Sequence, residues 1–187
     1  MRNLRLLALL IVIPLLHGCA AAILGGAGTA VLVSEDRRTV GTVAEDQGIE
    51  LKAQRRISER YKDAHINITS YNRMVLLTGE APDVATRSGI EKIVIAIENV
   101  RGVYNEIMIS GNTALSARAN DSYLTSKVKA RFIDQQKFNA VHVKVVTEAN
   151  VVYLIGLVKR READDATEIA RTTGGVQKVV KLFDYLD

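Results

Sequence analysis

The stretch His65-Ile66-Asn67-Ile68-Thr69-Ser70-Tyr71-Asn72-Arg73-Met74-Val75-Leu76-Leu77-Thr78-Gly79 decides the fold. Its first five residues alternate in the period of a strand, Tyr71-Asn72-Arg73 makes a turn, and Met74 to Gly79 is the returning strand. A second hairpin has the same layout: Val141-His142-Val143-Lys144-Val145 is a strand, and Val151-Val152-Tyr153-Leu154-Ile155-Gly156 is its partner. His65 and His142 lie 77 residues apart, and so do Gly79 and Gly156, so the hairpins match without a gap. A repeat this regular predicts two copies of one small domain.

The flanks of each hairpin repeat as well. Ahead of the first, Ile49, Ala53, Ile57 and Tyr61 recur at i, i+4, i+8 and i+12, one stripe of a helix. Behind it, Pro82-Asp83 suits a helix start, and the helix that follows to about Glu98 buries Ile90, Ile93, Val94 and Ile97. Gly102 closes the connection, and Val103 to Ile109 is a third strand. In the second copy Asn120-Asp121-Ser122 caps a helix running to Phe132 or Ile133. Residues 161–173 form another helix, Gly174-Gly175 break it, and Val176 to Tyr185 is the last strand. Each copy therefore reads αββαβ, an α+β fold with a three-stranded mixed sheet packed on two helices. The second copy is four residues shorter between Gly156 and Gly175 than the first between Gly79 and Gly102, about one helical turn. Gly79 and Gly156 read as strand-end positions where the backbone turns or packs closely. In both hairpins each face is apolar: Val75 and Leu77 alternate with Met74 and Leu76, and Val152 and Leu154 with Tyr153 and Ile155. Helices cover one face, so the other is expected to meet the second copy.

The N-terminus has a different character. Met1-Arg2-Asn3-Leu4-Arg5 is basic, and Leu6 to Leu16 is an apolar run too short for a bilayer and right for a secretory segment. Leu16-His17-Gly18-Cys19 ends it with the chain's one cysteine. The stretch resembles a bacterial lipobox, with a small residue before the thiol that carries the lipid, and His17 is its one departure. The expected division is a lipoprotein signal peptide over 1–18, an acylated flexible tether over 19–46, domain 1 over 47–110, a linker over 111–119 and domain 2 over 120–187. Residues 20–33 are small and apolar, and Gly25, Gly26 and Gly28 argue against a stable helix there. Ala20 is not the aspartate that holds lipoproteins in the inner membrane in enterobacterial-type sorting, so the expected destination is the periplasmic side of the outer membrane.

Composition excludes several classes. The chain carries +4, and two of its positives, Arg2 and Arg5, lie in the signal segment, too little excess to argue for nucleic acid. No cysteine beyond Cys19 is present for a disulfide, so the fold rests on its apolar core. No catalytic constellation, cofactor site or metal site is legible. His65 and His142 occupy the same place in both copies with no second His or Cys at ligand spacing, and Gly25-Gly26-Ala27-Gly28 lacks the ending of a phosphate loop.

The pattern of strand, Gly79 or Gly156, helix, then Gly102-Val103 or Gly175-Val176 and a closing strand resembles the BON domain. Two such domains behind a lipobox resemble the dual-BON outer-membrane lipoproteins of Gram-negative bacteria. The motifs that carry this likeness are Arg38-Thr39-Val40-Gly41-Thr42, Val103-Tyr104-Asn105-Glu106-Ile107, and Asn120-Asp121 with Thr125-Ser126-Lys127-Val128-Lys129. The resemblance implies a part in outer-membrane integrity, localisation to division sites and binding of anionic phospholipid.

The two copies differ in their first helix. Opposite the Ile49/Ala53/Ile57 stripe stand Lys52, Arg55 and Glu59 with Leu51, a solvated face. In copy two, Leu124, Val128 and Phe132 form the buried stripe, and Tyr123, Ser126, Ala130 and Ile133 fall together on the far side with Lys127 and Lys129 beside them. Between Asp121 and Thr147 stand Lys127, Lys129, Arg131, Lys137 and Lys144 against Asp121 and Asp134. A tyrosine, an isoleucine and flanking lysines suit the interface of an anionic bilayer, of phosphatidylglycerol or cardiolipin for example. The same residues would also suit the seam between the domains. The competing functional class is an adaptor that docks an envelope-assembly or peptidoglycan-remodelling protein through this helix or an exposed strand edge.

Overall fold

The computed structural model describes residues 35–111 and 113–187. The lipobox, Cys19 and the stretch 20–33 lie outside the described residues. Residues 37–187 form one compact unit that holds both copies. In chain order they give α1 (Val40–Arg60), β1 (His65–Tyr71), β2 (Met74–Ala81), α2 (Val84–Ile95), β3 (Gly102–Asn105), β4 (Met108–Ile109), α3 (Leu115–Gln135), a 3-10 turn (Ala140–His142), β5 (Val143–Glu148), β6 (Val151–Val158), α4 (Arg160–Arg171) and β7 (Lys178–Tyr185). The αββαβ order holds in both domains. β2 is central in the first sheet, antiparallel to β1 and parallel to β3 and β4; β6 is central in the second, antiparallel to β5 and parallel to β7. Among the described residues no helix is long and apolar enough to cross a membrane.

Two helices start earlier than their apolar stripes. α1 begins at Val40, where the Thr39 hydroxyl accepts from the Thr42 N–H, so residues 40–46 are helical turns and not tether. α3 begins at Leu115, which takes the second half of the expected linker into the helix. Asp121, expected as its cap, lies inside the helix and is buried. The cause is the same in both domains. Each hairpin turns through two residues of positive φ, Asn72 and Arg73 or Ala149 and Asn150, a two-residue turn whose amides point inward. A carboxylate from the preceding helix takes them. Asp46, 3% exposed, accepts from the N–H groups of Asn72 and Arg73, from Ser70 Oγ and from Arg38 Nη1, at 2.7–2.9 Å. Asp121 accepts from the N–H groups of Ala149 and Asn150 at 3.0 and 2.9 Å. The polar first turns exist to carry these aspartates.

Other expectations hold with small shifts. Asp83 caps α2 by accepting from the Thr86 N–H. The third strand of domain 1 is interrupted at Glu106-Ile107, where Ile107 turns into the core. The second hairpin starts at Val143, because residues 140–142 form a 3-10 turn. Gly79 and Gly156 lie two residues inside their strands, where a β-carbon would come within 2.0 Å of the His65 carbonyl oxygen or 2.4 Å of that of His142.

Each domain has its own core between helices and sheet. Ile49, Ala53, Ile57, Ile90 and Val94 pack on Val75 and Leu77 in the first, and Val128, Phe132, Ala166 and Ile169 on Val152 and Leu154 in the second. A third cluster lies between them, as the doubly apolar hairpins predict: Tyr71 and Leu76 of one sheet meet Tyr153 and Ile155 of the other.

Replacing Asp46 with Ala removes the carboxylate that accepts from two half-buried turn amides, a serine hydroxyl and a guanidinium. Hydrogen bonds to a charged group contribute roughly 1.5–3 kcal/mol each and are not additive, so the expected loss in urea unfolding is about 3 kcal/mol. Asp121→Ala, with fewer bonds, should cost less. A loss below about 0.5 kcal/mol for Asp46→Ala would contradict this role.

Candidate functional site: the outward face of α3 and the interdomain clamp

α3 buries Leu124, Val128 and Phe132, and Phe132 meets Phe138 edge-on at 5.0 Å between ring centres. Its opposite side is open. Tyr123 and Ile133 are 61% and 65% exposed, and Ser126, Lys129 and Ala130 are exposed between them. The predicted strip is thus one continuous surface. The interdomain seam is made by the sheet faces and not by this strip. Lys127 is half-buried: its Nζ donates to the Gly174 carbonyl at 2.9 Å and lies 5.9 Å from the Tyr123 ring centre.

The cations counted from the sequence do not all reach this face. Arg131 donates to the Ile169 carbonyl and Thr173 Oγ1 at the end of α4. Lys137 lies 3.7 Å from Asp165, and Lys144 bonds Glu50 across the domains at 3.1 Å. Lys127 and Lys129 have no carboxylate at ion-pair distance among the described residues, so their charge is uncompensated there. α1 is the counter-example in the same chain, with Leu51 exposed beside an Arg55–Glu59 pair at 2.9 Å.

The histidines have structural surroundings. His65 Nδ1 lies 3.2 Å from Glu80 Oε2, and Glu80 is fully buried and also accepts from Thr113 Oγ1. His142 lies 3.8 Å from Glu162. Among the described residues no group of three or more His, Cys, Asp or Glu is placed to hold a metal.

Sequence reasoning missed the clamp. Arg37 forms a two-pronged pair with Glu162, at 2.6 and 2.8 Å, and also donates to the Leu157 carbonyl. The segment just ahead of α1 is thereby fastened to domain 2. Next to it the Arg38 guanidinium lies 3.9 Å over the Tyr71 ring. Asn72 and Arg101 both reach Asp184, and the buried Glu148 accepts from Asn67 Nδ2 and Thr78 Oγ1. The Arg37 bonds are the largest cause that holds the Glu162 carboxyl at about 2, helped by the Lys159 N–H and opposed by burial. Burial, then Glu106 and Glu148, push the Tyr153 phenol up to about 12. No apolar period marks Arg37, so pattern reading passes over it.

Comparison with known proteins places this geometry. The BON domain model matches residues 45–111 and 120–187. The chain is 35% identical over 175 residues to outer membrane lipoprotein DolP of Haemophilus influenzae, covering 92% of this chain and 91% of that one. It is 32% identical to the 21 kDa hemolysin of Actinobacillus pleuropneumoniae, over 81% of this chain and 79% of that one. To osmotically-inducible protein Y of Escherichia coli it is 26% identical, over 79% and 76%.

A carboxylate whose pKa falls on folding adds stability above its unfolded value and loses it as pH drops towards the folded one. For Glu162 that window runs from the ordinary 4.5 down to about 2. In thermal unfolding, Arg37→Gln should lower the midpoint most above about pH 5, and the gap to the unaltered protein should close towards about pH 2.5. A gap independent of pH would contradict the clamp.

Proposed function

The chain belongs to the BON-domain family, and from that premise we propose that it is a non-catalytic lipoprotein of the outer membrane, facing the periplasm, that binds anionic phospholipid through α3. The relationship to outer membrane lipoprotein DolP supports the location. Acylation of Cys19 supplies residence, since two or more acyl chains anchor stably where one is marginal. The contact of α3 is the weaker, composition-sensitive element.

The observation that carries the lipid reading is the open strip itself: Tyr123 and Ile133 exposed on one helix face with Lys127 and Lys129 beside them and, among the described residues, no acid at ion-pair distance from either lysine. Tyrosine favours the headgroup level, an aliphatic side chain enters the acyl boundary, and each lysine near an anionic surface contributes about 1 kcal/mol. Such a contact is weak in solution. On an anchored protein it acts at high effective concentration, so it would gather the protein where anionic lipid is enriched. Division sites and the maintenance of envelope integrity are the settings this reading fits.

The test is vesicle sedimentation of residues 37–187, the compact unit. Binding to phosphatidylglycerol or cardiolipin vesicles, with none to phosphatidylcholine, is expected. Tyr123→Glu, at an exposed position, should reduce binding at least about tenfold with the fold intact by circular dichroism. Equal binding to phosphatidylcholine, or binding unchanged by Tyr123→Glu, would refute the site.

A further inference from the structure

Two open strand edges and the guanidinium of Arg118, which has no carboxylate at ion-pair distance among the described residues, converge on one cleft. In a two-residue hairpin the residues flanking the turn bond each other, and the groups that point away from the ladder then alternate. Tyr71 pairs with Met74, and Glu148 with Val151. So Ile68 and Ser70 of β1, and Val145 and Thr147 of β5, direct their N–H and C=O groups out of their sheets. Ser70 fixes the phase: its N–H donates to Glu50 and its carbonyl accepts from Lys144. Those side chains close that end of the β1 edge. Ile68, Val145 and Thr147 have no such partner among the described residues. All three line a cleft of about 470 Å³ between the domains, within the range of about 300–1,000 Å³ common for specific sites.

The remaining wall comes from α3, through Arg118, Asp121, Ser122 and Thr125, and from Gln54 of α1. Arg118 Nε is shielded from solvent and has no acceptor, and no carboxylate lies at ion-pair distance from that guanidinium among the described residues. The two acids of the cleft are engaged: Asp121 holds the turn amides, and Glu148 holds Asn67 and Thr78. The aliphatic side chains of Ile68 and Val145 do not make an apolar floor. Ile68 packs on the domain 1 core and Val145 lies in that of domain 2. What the cleft offers is main chain, hydroxyls, the carboxamides of Gln54 and Asn67, the His65 ring and the Arg118 cation.

We propose that this cleft binds an extended peptide segment of a partner protein, whose main chain adds to the open edge of β5 opposite β1 and whose acidic side chain pairs with Arg118. Val145 and Thr147 are two residues apart, the step at which a partner strand presents its own outward groups. A lipid finds no acyl floor here. The site is separate from the lipid reading. Arg118 and Thr125 sit about 120–160° around α3 from Tyr123 and Ala130, so both faces can be engaged together.

The test uses residues 37–187 and a phage-displayed library of linear seven-residue peptides. Enriched sequences should carry Asp or Glu. As synthetic peptides they should shift the amide resonances of Ile68, Val145 and Thr147 and slow hydrogen exchange of the last two. Arg118→Gln, which keeps the aliphatic stem, should weaken binding about tenfold. Thr147→Pro removes an outward N–H without touching the ladder and should weaken it at least as much. Tyr123→Glu should leave peptide binding unchanged, which separates this site from the lipid face. Three results would overturn the proposal: no enrichment, resonance shifts confined to another surface, or affinity indifferent to Arg118→Gln. Should Thr147→Pro fail to fold, the exchange measurement and Arg118→Gln still decide.

Discussion

A three-stranded sheet with two apolar faces cannot be covered by two helices on one side. That constraint governs the molecule. β2 and β6 each send one row of side chains into their own domain and a second row outward, and the outward rows, Leu76 and then Tyr153 and Ile155, bury one another. Each apolar side chain taken fully from water contributes roughly 1.5–3 kcal/mol, so neither domain would be well satisfied alone. The polar contacts around that patch set its register. Asn67 and Thr78 meet Glu148, Asn72 meets Asp184, and Arg37 meets Glu162. The buried Glu148 takes the Asn67 and Thr78 donors from the opposite domain, so separation would leave it uncompensated.

The candidate surfaces follow from this arrangement. Because the sheets supply the seam, the outer face of α3 is not needed to cover it, and Tyr123 and Ile133 stay in solvent. Because the two hairpins meet through their faces, the β1 and β5 edges border a common cleft. The same packing withdraws charge from the helix region. Lys144 serves the seam and Arg131 serves α4, which leaves Lys127 and Lys129 to supply the field at the open strip.

Periodicity made much of this legible. The hairpins, the apolar stripes of the first helix in each domain and the need for contact between copies all reside in residues whose spacing is regular. Polar positions that act through one specific contact left no period. Asp46 read as tether and Asp121 as a cap, though both hold a turn. A signal was present: Asp46 and Asp121 are 75 residues apart, as are Ile49 and Leu124, Ala53 and Val128, and Ile57 and Phe132. The helices repeat at 75 and the hairpins at 77, so aligning on the hairpins alone put the two aspartates out of register. Arg37 lies outside both repeats, and its partner is 125 residues away, a distance no local pattern encodes. For the strip on α3, spacing placed all six residues on or beside one face, while the partners of the neighbouring cations came only with the tertiary structure.

With their sheets sharing a face, the two domains should tumble as one body. Backbone ¹⁵N relaxation on residues 37–187 measures this directly. A single rotational correlation time for the amides of β1–β4 and of β5–β7, that of the whole unit, is the predicted result. Two shorter and unequal correlation times, one for each domain, would contradict it.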